Sequence, residues 1–372
     1  MIPAFSIVSA SGVDYSALYA QRLVSLKVTI DAMEHSDSFE VELADNDGKL
    51  PVPTKGEIIT VQIGYRGNLT PIGSFTVDTT EVSGPPDVVT FGGKAAPFAA
   101  ASNQKPFQTR RSRSFIDITL GDLVSKIAQE TGLEPAVDPL LASITLPAVH
   151  QTSESNMNLL TRLSRYYNAV MKPQFGKLCL VQRGQGTSIT GQSVGGMTID
   201  RKQTVGRYSH KITQRTNFDR VRTKSHDTTT GIVTLSETTK DGTTSTPLEP
   251  WEVDVADADD TGNDAILEHP HNFPDEESAN AASAAIYDQA TAGSETVTIP
   301  LLGNPAVIAG GMMTLTGFKE SMNQEWWVSR VEHEYHKGGF KTVISGMLPS
   351  TNKPGSVGAK ELSQGIGTAA DF

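Results

Sequence analysis

The sequence predicts a mainly β chain with α+β character, in which two β-rich blocks flank a small α/β block. Apolar and polar residues alternate in five short segments of the first hundred residues, at 23–30, 39–43, 58–65, 75–80 and 88–91. From about residue 99 the apolar spacing becomes that of amphipathic helices. Alternation returns towards the end of the chain, at 296–299, 312–316, 326–331 and 341–345. These changes of period indicate the order β, α/β, β.

The first block, residues 1–98, combines short strands and tight turns with no helical pattern, which is typical of a small barrel or sandwich. The β-rich blocks at the two ends are of similar size, and a divergent duplication would fit this similarity. Edge strands of such a block can pair with a neighbouring copy. This property suits a chain that assembles into a ring.

The middle block, residues 99–200, carries two helix signals. Thr119 is placed to cap a helix with Asp122 three residues later, and Gly132 is placed to end it. A second helix is predicted to begin near Ser155. Its apolar residues lie at helical spacing: Leu159, Leu160, Leu163 and Tyr167. A β-hairpin is predicted at 169–181, so the block is interpreted as a small α/β domain.

Charge is distributed unevenly along the second half of the chain. The net charge is -11, yet no lysine or arginine occurs between Asp241 and Phe318, against fourteen acidic residues that are densest at 251–277. Residues 201–224 carry eight basic residues and one acid, Asp219. Such runs are most often solvated faces. The alternatives are electrostatic matching between neighbouring subunits and an acidic surface that DNA passes without binding.

The length of 372 residues suggests two or three domains rather than one core. The second β block is assigned to residues 201–224 and 290–348. An acidic lobe at 225–289, with an alanine-rich helix at 277–289, is expected to be inserted into it. Residues 349–372 are predicted to be a flexible C-terminal tail.

Composition excludes several classes of protein. No stretch approaches the ~20 apolar residues of a membrane-spanning helix, and the start of the chain lacks the pattern of a secretory signal. The single cysteine, Cys179, excludes an internal disulfide framework and a multi-cysteine zinc site, and a buried inert thiol is expected there. We therefore expect assembly in a cytosol, without the general secretory route and without direct membrane insertion.

No motif predicts catalytic, cofactor-binding or metal-binding residues. The histidines closest in sequence do not have the helical H-E-x-x-H spacing: His269, His271, His333 and His336. A cluster of acids lacks the apolar pocket that a glycosidase needs to raise one carboxyl pKa: Asp254, Asp257, Asp259 and Asp260. Three arginines are expected to contact a partner subunit or solvent: Arg110, Arg111 and Arg113. The expected role is non-enzymatic, with no cofactor and no metal.

Four ordered blocks of sequence resemble the late control protein D family of phage tail hubs, and more distantly the hub portion of type VI secretion VgrG spikes. The first of these motifs consists of residues 54–57, Gly-Tyr at 64–65 and Gly-Ser-Phe at 73–75. The second spans 119–133, and the third joins Gln-Thr-Ser-Glu-Ser at 151–155 to 159–163. The fourth runs from 311 through Trp-Trp-Val at 326–328 to 342. The likeness covers residues 3–348, except that the acidic lobe matches poorly.

The resemblance implies two related β-barrel domains per chain and a homotrimeric ring with pseudo-sixfold symmetry. One face of the ring would meet the hexameric tail tube and the other the trimeric spike, around a central channel through which DNA passes without specific binding. Tape measure and baseplate wedge proteins are further possible partners. The expected location is the virion, in a phage tail baseplate, or a headless tailocin particle, assembled in the cytoplasm of the host bacterium. The alternatives are a baseplate-associated peptidoglycan hydrolase and a receptor- or glycan-binding tail module.

Overall fold

The computed structural model describes residues 2–33, 35–95, 107, 109–174, 176–188, 190, 194–213, 218–227, 230–248 and 265–350. These residues form twenty-one strands and five α-helices, and the prediction of a mainly β chain with α+β character is confirmed. Residues 351–372, which make up almost all of the expected C-terminal tail, lie outside these ranges.

The first block forms six strands and one short helix. They are β1 (Pro3–Ser9), α1 (Ser16–Ala20), β2 (Leu23–Asp31), β3 (Ser38–Ala44), β4 (Ile58–Tyr65), β5 (Asn68–Ser83) and β6 (Val88–Lys94). The strands lie side by side in the order β1-β4-β5-β6-β3-β2, and every pair is antiparallel. We call them unit one. Their inward-facing aliphatic and aromatic side chains build a core of their own.

The middle block is the expected α/β domain. Its elements are β7 (Arg110–Thr119), α2 (Leu120–Thr131), β8 (Glu134–Val137), α3 (Pro139–Ala142), β9 (Thr145–Ser155), α4 (Asn156–Tyr166), β10 (Ala169–Gln174) and β11 (Lys177–Gln182). β7 pairs with β9, and a second sheet has the order β10-β11-β8. Helices α2 and α4 bury one apolar face each in a shared core.

Both predicted helix starts are confirmed. The Thr119 hydroxyl accepts the Asp122 amide hydrogen bond at 3.1 Å, and the Ser155 hydroxyl accepts that of Asn158 at 3.2 Å. Gly132 ends α2 in the left-handed conformation, with φ 71°, because a residue without Cβ adopts it at little cost.

The rest of the chain supplies ten strands and one long helix. They are β12 (Met197–Asp200), β13 (Ser209–Ile212), β14 (Arg220–His226), β15 (Val233–Thr239), β16 (Gly242–Leu248), β17 (Ile266–Phe273), α5 (Glu276–Ala292), β18 (Glu295–Leu302), β19 (Met312–Thr316), β20 (Glu325–His336) and β21 (Gly339–Met347). Six of these strands form unit two, in the order β12-β19-β20-β21-β18-β13. The other four form a separate sheet, β16-β15-β14-β17, against which α5 packs.

The two units have the same strand order. If the strands of each unit are numbered one to six along the chain, both sheets read 1-4-5-6-3-2. One pairing differs, because β1 and β4 are antiparallel whereas β12 and β19 are parallel. The units are joined into a single twelve-stranded sheet by the antiparallel pairing of β2 with β20.

Two expected segment boundaries differ from the structure. Residues 197–200, expected in the α/β domain, form β12 and pair with β19 in unit two. Residues 220–224, expected in the second β block, belong to β14 in the separate sheet. There the Thr223 hydroxyl donates to the Ala279 carbonyl of α5 at 2.8 Å, so the small inward side chains of β14 suit close packing against an alanine-rich helix. That helix ends at Ala292 rather than 289.

A buried ionic cluster connects unit one, unit two and the α/β domain. The Lys172 ammonium of β10 donates to the Asp31 carbonyl oxygen and to Asp37 Oδ1, both at 2.7 Å. Arg330 of β20 binds Asp31 Oδ2 through Nε at 2.9 Å and Nη2 at 2.8 Å. Burial raises the pKa of Asp37, and Lys172 opposes that rise. We call these four residues the junction cluster.

Replacing Leu163 with aspartate is expected to unfold the α/β domain, because the side chain lies in its core and the charge would have no partner. The expected loss is at least about 4 kcal/mol in the free energy of unfolding. Urea denaturation followed by circular dichroism measures it. The same residue introduced at exposed Asn158, on the same helix, is the control and should leave stability nearly unchanged. An L163D protein that melts normally would contradict the assignment of this face to the core.

Replacing Lys172 with methionine is expected to cost about 3–5 kcal/mol, because it leaves the buried Asp37 carboxylate without its cation. The folded-state pKa of Asp37 already lies above its ordinary value and should rise further. The folded variant then binds more protons than the unfolded chain, so its deficit should shrink as pH falls through the folded-state pKa.

Denaturation midpoints at several pH values check this prediction for K172M. The control is Lys177→Met on the neighbouring strand, where the side chain is 47% exposed. The second change Asp37→Asn should recover part of the loss. A deficit that grows on acidification would contradict the assigned role of Asp37.

Candidate functional site

The structure separates the two histidine pairs of the sequence. His269 and His271 lie on β17 with ring centroids 5.4 Å apart, and His269 also contacts the rings of Tyr166 and Phe273. Burial lowers the pKa of His269. His269 is therefore held in an aromatic cluster between β17 and α4, rather than among carboxylates.

The other pair lies on β20, where the two side chains face different environments. His333 is fully buried, and its Nδ1 lies 3.1 Å from the Thr342 hydroxyl, whereas His336 is exposed. Burial lowers the pKa of His333 to about 4. His333 is thus a neutral side chain packed between β20 and the ring of Phe340.

Within the described ranges, no group of three or more His, Cys, Asp or Glu side chains could hold a metal ion. The aspartates weighed above as a glycosidase pair lie outside those ranges: Asp254, Asp257, Asp259 and Asp260. Burial raises the pKa of the half-buried Cys179 thiol, which disfavours the nucleophilic thiolate. None of the helices in the part of the chain that is described is long and apolar enough to cross a membrane.

A groove of about 780 Å³ lies between β9 and the end of β17. Its walls are largely apolar, and it is also lined by His150, His226 and His271. Glu154, its one carboxylate among the lining residues, is bound by Arg162 at 2.9 Å. The groove thus combines three histidines with a carboxylate that is already bound to a cation, and no sequence motif assigns a reaction to it.

Several of the basic residues considered for contacts with partner subunits pair within the chain. Arg222 Nε binds Glu237 at 2.6 Å, and Lys224 binds Glu268 at 2.7 Å. Arg111 of β7 binds Glu130 at 2.7 Å, and Arg113 binds the same carboxylate. The expectation that the arginines of β7 contact a partner subunit or solvent stays a prediction, since the side chains of Arg111 and Arg113 remain 20% and 22% exposed beside these ion pairs. Glu130 of α2 balances one of these two positive charges, and its pKa is lowered, chiefly by the Arg113 hydrogen bond.

The candidate site is therefore a pair of strand edges rather than a pocket. β13 is the last strand of the twelve-stranded sheet, and among the described residues its outer edge pairs with no strand. The second half of β5, from Thr79 to Ser83, pairs with β6 on one side, and no described strand covers its other side. We call these two surfaces the β13 edge and the β5 edge. Each carries an exposed aliphatic residue, Ile212 and Val82 respectively.

Unpaired edges expose backbone N–H and C=O groups that are ready to pair with another strand. Sequence reasoning expected pairing edges in the first block but did not identify either strand. The alternating pattern marks a strand without saying which side of it is covered. The sequence predicts only residues 75–80 of the long β5, because Pro71 and Gly73 interrupt the alternation before them and polar residues predominate after them.

Comparison with curated proteins finds a relative of similar length. The probable baseplate hub protein of Escherichia phage 186 is 28% identical to this chain in an alignment 371 residues long, which covers 92% of each of the two chains.

Solved structures share the fold. The 43 kDa tail protein of prophage MuSo2 from Shewanella oneidensis superposes with a TM-score of 0.67 at 15% identity, covering 93% of this chain and 98% of that one. The E. coli c3393 protein, a component of the type VI secretion system, gives a TM-score of 0.53 at 8% identity over 89% of this chain and 74% of its own.

A family model described as phage tail baseplate hub (GPD) matches residues 107–339, which is more than half of the chain. The match runs from the α/β domain through the separate sheet into β21, so it includes most of the second half of the fold. The chain belongs to the phage tail baseplate hub (GPD) family.

Proposed function

We propose that the chain is the structural hub of a contractile phage tail or tailocin baseplate, where it forms a homotrimeric ring. The single observation that carries this proposal is the strand order 1-4-5-6-3-2 shared by the two units. Three chains with two similar units each can present six similar surfaces. Such a ring can therefore meet a hexameric tail tube on one face and a trimeric spike on the other.

The proposed role is non-enzymatic and mechanical. Symmetry matching holds tube and spike together until contraction drives the spike forward, and a channel through the ring lets DNA pass without specific binding. Several ion pairs and the buried His333 support this role, because these groups hold elements of the fold together: Arg111 with Glu130, Lys172 with Asp37 and Arg222 with Glu237. Tape measure and wedge proteins would contact the rest of the ring surface.

The division into domains follows the same proposal. We place unit one, the α/β domain and unit two in the ring-forming body. The sheet of β14 to β17 with α5 is then an insertion between the second and third strands of unit two. Its connection to α4 through Tyr166 and Phe273, with ring centroids 5.1 Å apart, keeps it against the α/β domain.

The purified chain is expected to have a native mass near three times 39.8 kDa, alone or together with its cognate spike, in a complex of three hub and three spike chains. Light scattering at micromolar concentration measures it. Zymography on peptidoglycan is the control for the hydrolase alternative and should show no clearing. A chain that stays monomeric with and without the spike would contradict the hub proposal.

A further inference from the structure

The two units correspond residue by residue, beyond their strand order. β5 and β20 each contain one bulged residue opposite the following strand, Asp78 and Ser329. The residue before each bulge pairs with a glycine, Gly93 in unit one and Gly346 in unit two. In both units that glycine also pairs with the third strand, opposite Phe39 or Val297, and a Cβ at its position would collide with Thr76 in unit one or Met313 in unit two. Equivalent positions can therefore be assigned through the shared pairings.

By this assignment, the β5 edge in unit one is equivalent to the part of β20 in unit two that follows the bulged Ser329. Thr79 to Ser83 correspond to Arg330 to Glu334. In the same way, β13 corresponds to the middle of β2, because His210 pairs with Val297 as Val28 pairs with Phe39. Ser209 to Ile212 therefore correspond to Lys27 to Ile30.

Within one chain the equivalent surfaces are already paired. β2 lies along β20 beyond the bulge, with Val28 opposite His333 and Ile30 opposite Val331. This pairing buries both partners, since His333 is 0% and Ile30 8% exposed. The residues that correspond to them, Val82 and Ile212, are 74% and 59% exposed. Each chain thus contains one paired junction, between β2 and β20, and two unpaired edges equivalent to its two sides, the β13 edge and the β5 edge.

We propose that β13 of one copy pairs antiparallel with the β5 edge of a second copy and repeats the β2–β20 junction between chains. The register follows from the correspondence, with His210 opposite Val82, Lys211 opposite Glu81 and Ile212 opposite Thr80. This inference rests on the proposed ring and assigns the surfaces that close it. Three junctions within chains then alternate with three between chains, and every strand edge involved is covered.

Charge supports this register. In the internal junction Thr29 faces Glu332, and the ammonium of Lys27 reaches that carboxylate at 2.8 Å. Between chains a lysine stands directly opposite the corresponding acid, Glu81. Opposite charges placed directly across an antiparallel pair stabilise it, whereas like charges destabilise it.

One interaction of the internal junction has no counterpart between chains. The Asp31–Arg330 ion pair corresponds to Thr213 and Thr79, which are uncharged. The contact between chains also lacks a covalent linker, so it should be the weaker of the two. The contact is heterologous, joining two different surfaces, and such contacts form closed rings when the rotation between copies is a simple fraction of a turn.

Cysteine cross-linking tests the register directly. The full chain carrying Cys179→Ser, Lys211→Cys and Glu81→Cys is oxidised with oxidised glutathione, alone and with its cognate spike. We expect covalent dimers and trimers on a non-reducing gel, because directly opposed Cβ atoms lie within disulfide reach. The control pairs Lys211→Cys with Thr80→Cys, whose side chain points to the opposite face of the strand, and should give at least about tenfold less product.

Charge reversal provides the second measurement. Lys211→Glu or Glu81→Lys alone should raise the dissociation constant of the trimer at least about tenfold, and the two changes combined should restore it. A trimeric wild type with no specific cross-link and no response to either reversal would overturn this junction while leaving the proposed ring intact. A wild type that is monomeric even with the spike would overturn the ring and the junction together.

Discussion

The antiparallel pairing of β2 with β20 joins residues about 300 positions apart and turns two six-stranded units into one sheet. Its backbone hydrogen bonds cover an edge that would otherwise be open, and its side chains enter the cores on either side. At one end of the junction Arg330 binds Asp31, and Lys172 of the α/β domain binds the neighbouring Asp37. The relative position of all three parts is therefore set in one place.

Several charged side chains are likewise held in ion pairs between elements of the fold. Arg113 is bound by Glu130, Arg222 by Glu237 and Lys172 by Asp37, so each contributes to holding strands and helices together. A buried ion pair is costly to break but adds little over an apolar replacement, which makes it a device for specifying one arrangement of parts.

The starts of α2 and α4 were predictable because their signals are local, whereas the short α1 and α3 were not predicted. Thr119 and Ser155 lie within three residues of the amides they cap, and Gly132 acts on its own turn. The assignments of β12 and β14 were wrong for the complementary reason. The alternation of apolar and polar residues in a strand of four to seven residues does not indicate which strand it pairs with. The partner of β12 lies more than one hundred residues later in the chain. The two open edges were missed in the same way.

Residue order alone was enough to predict the mainly β class, the α/β interruption, the starts of α2 and α4 and, through four ordered motifs, the family. Those features depend on residue type and short-range spacing, which are legible without coordinates. Tertiary structure alone decided that the two β blocks share one strand order, that Lys172 joins them to the α/β domain, and that Val82 and Ile212 stay exposed. These depend on which strands meet across long separations, and alternation within a strand does not encode its neighbour.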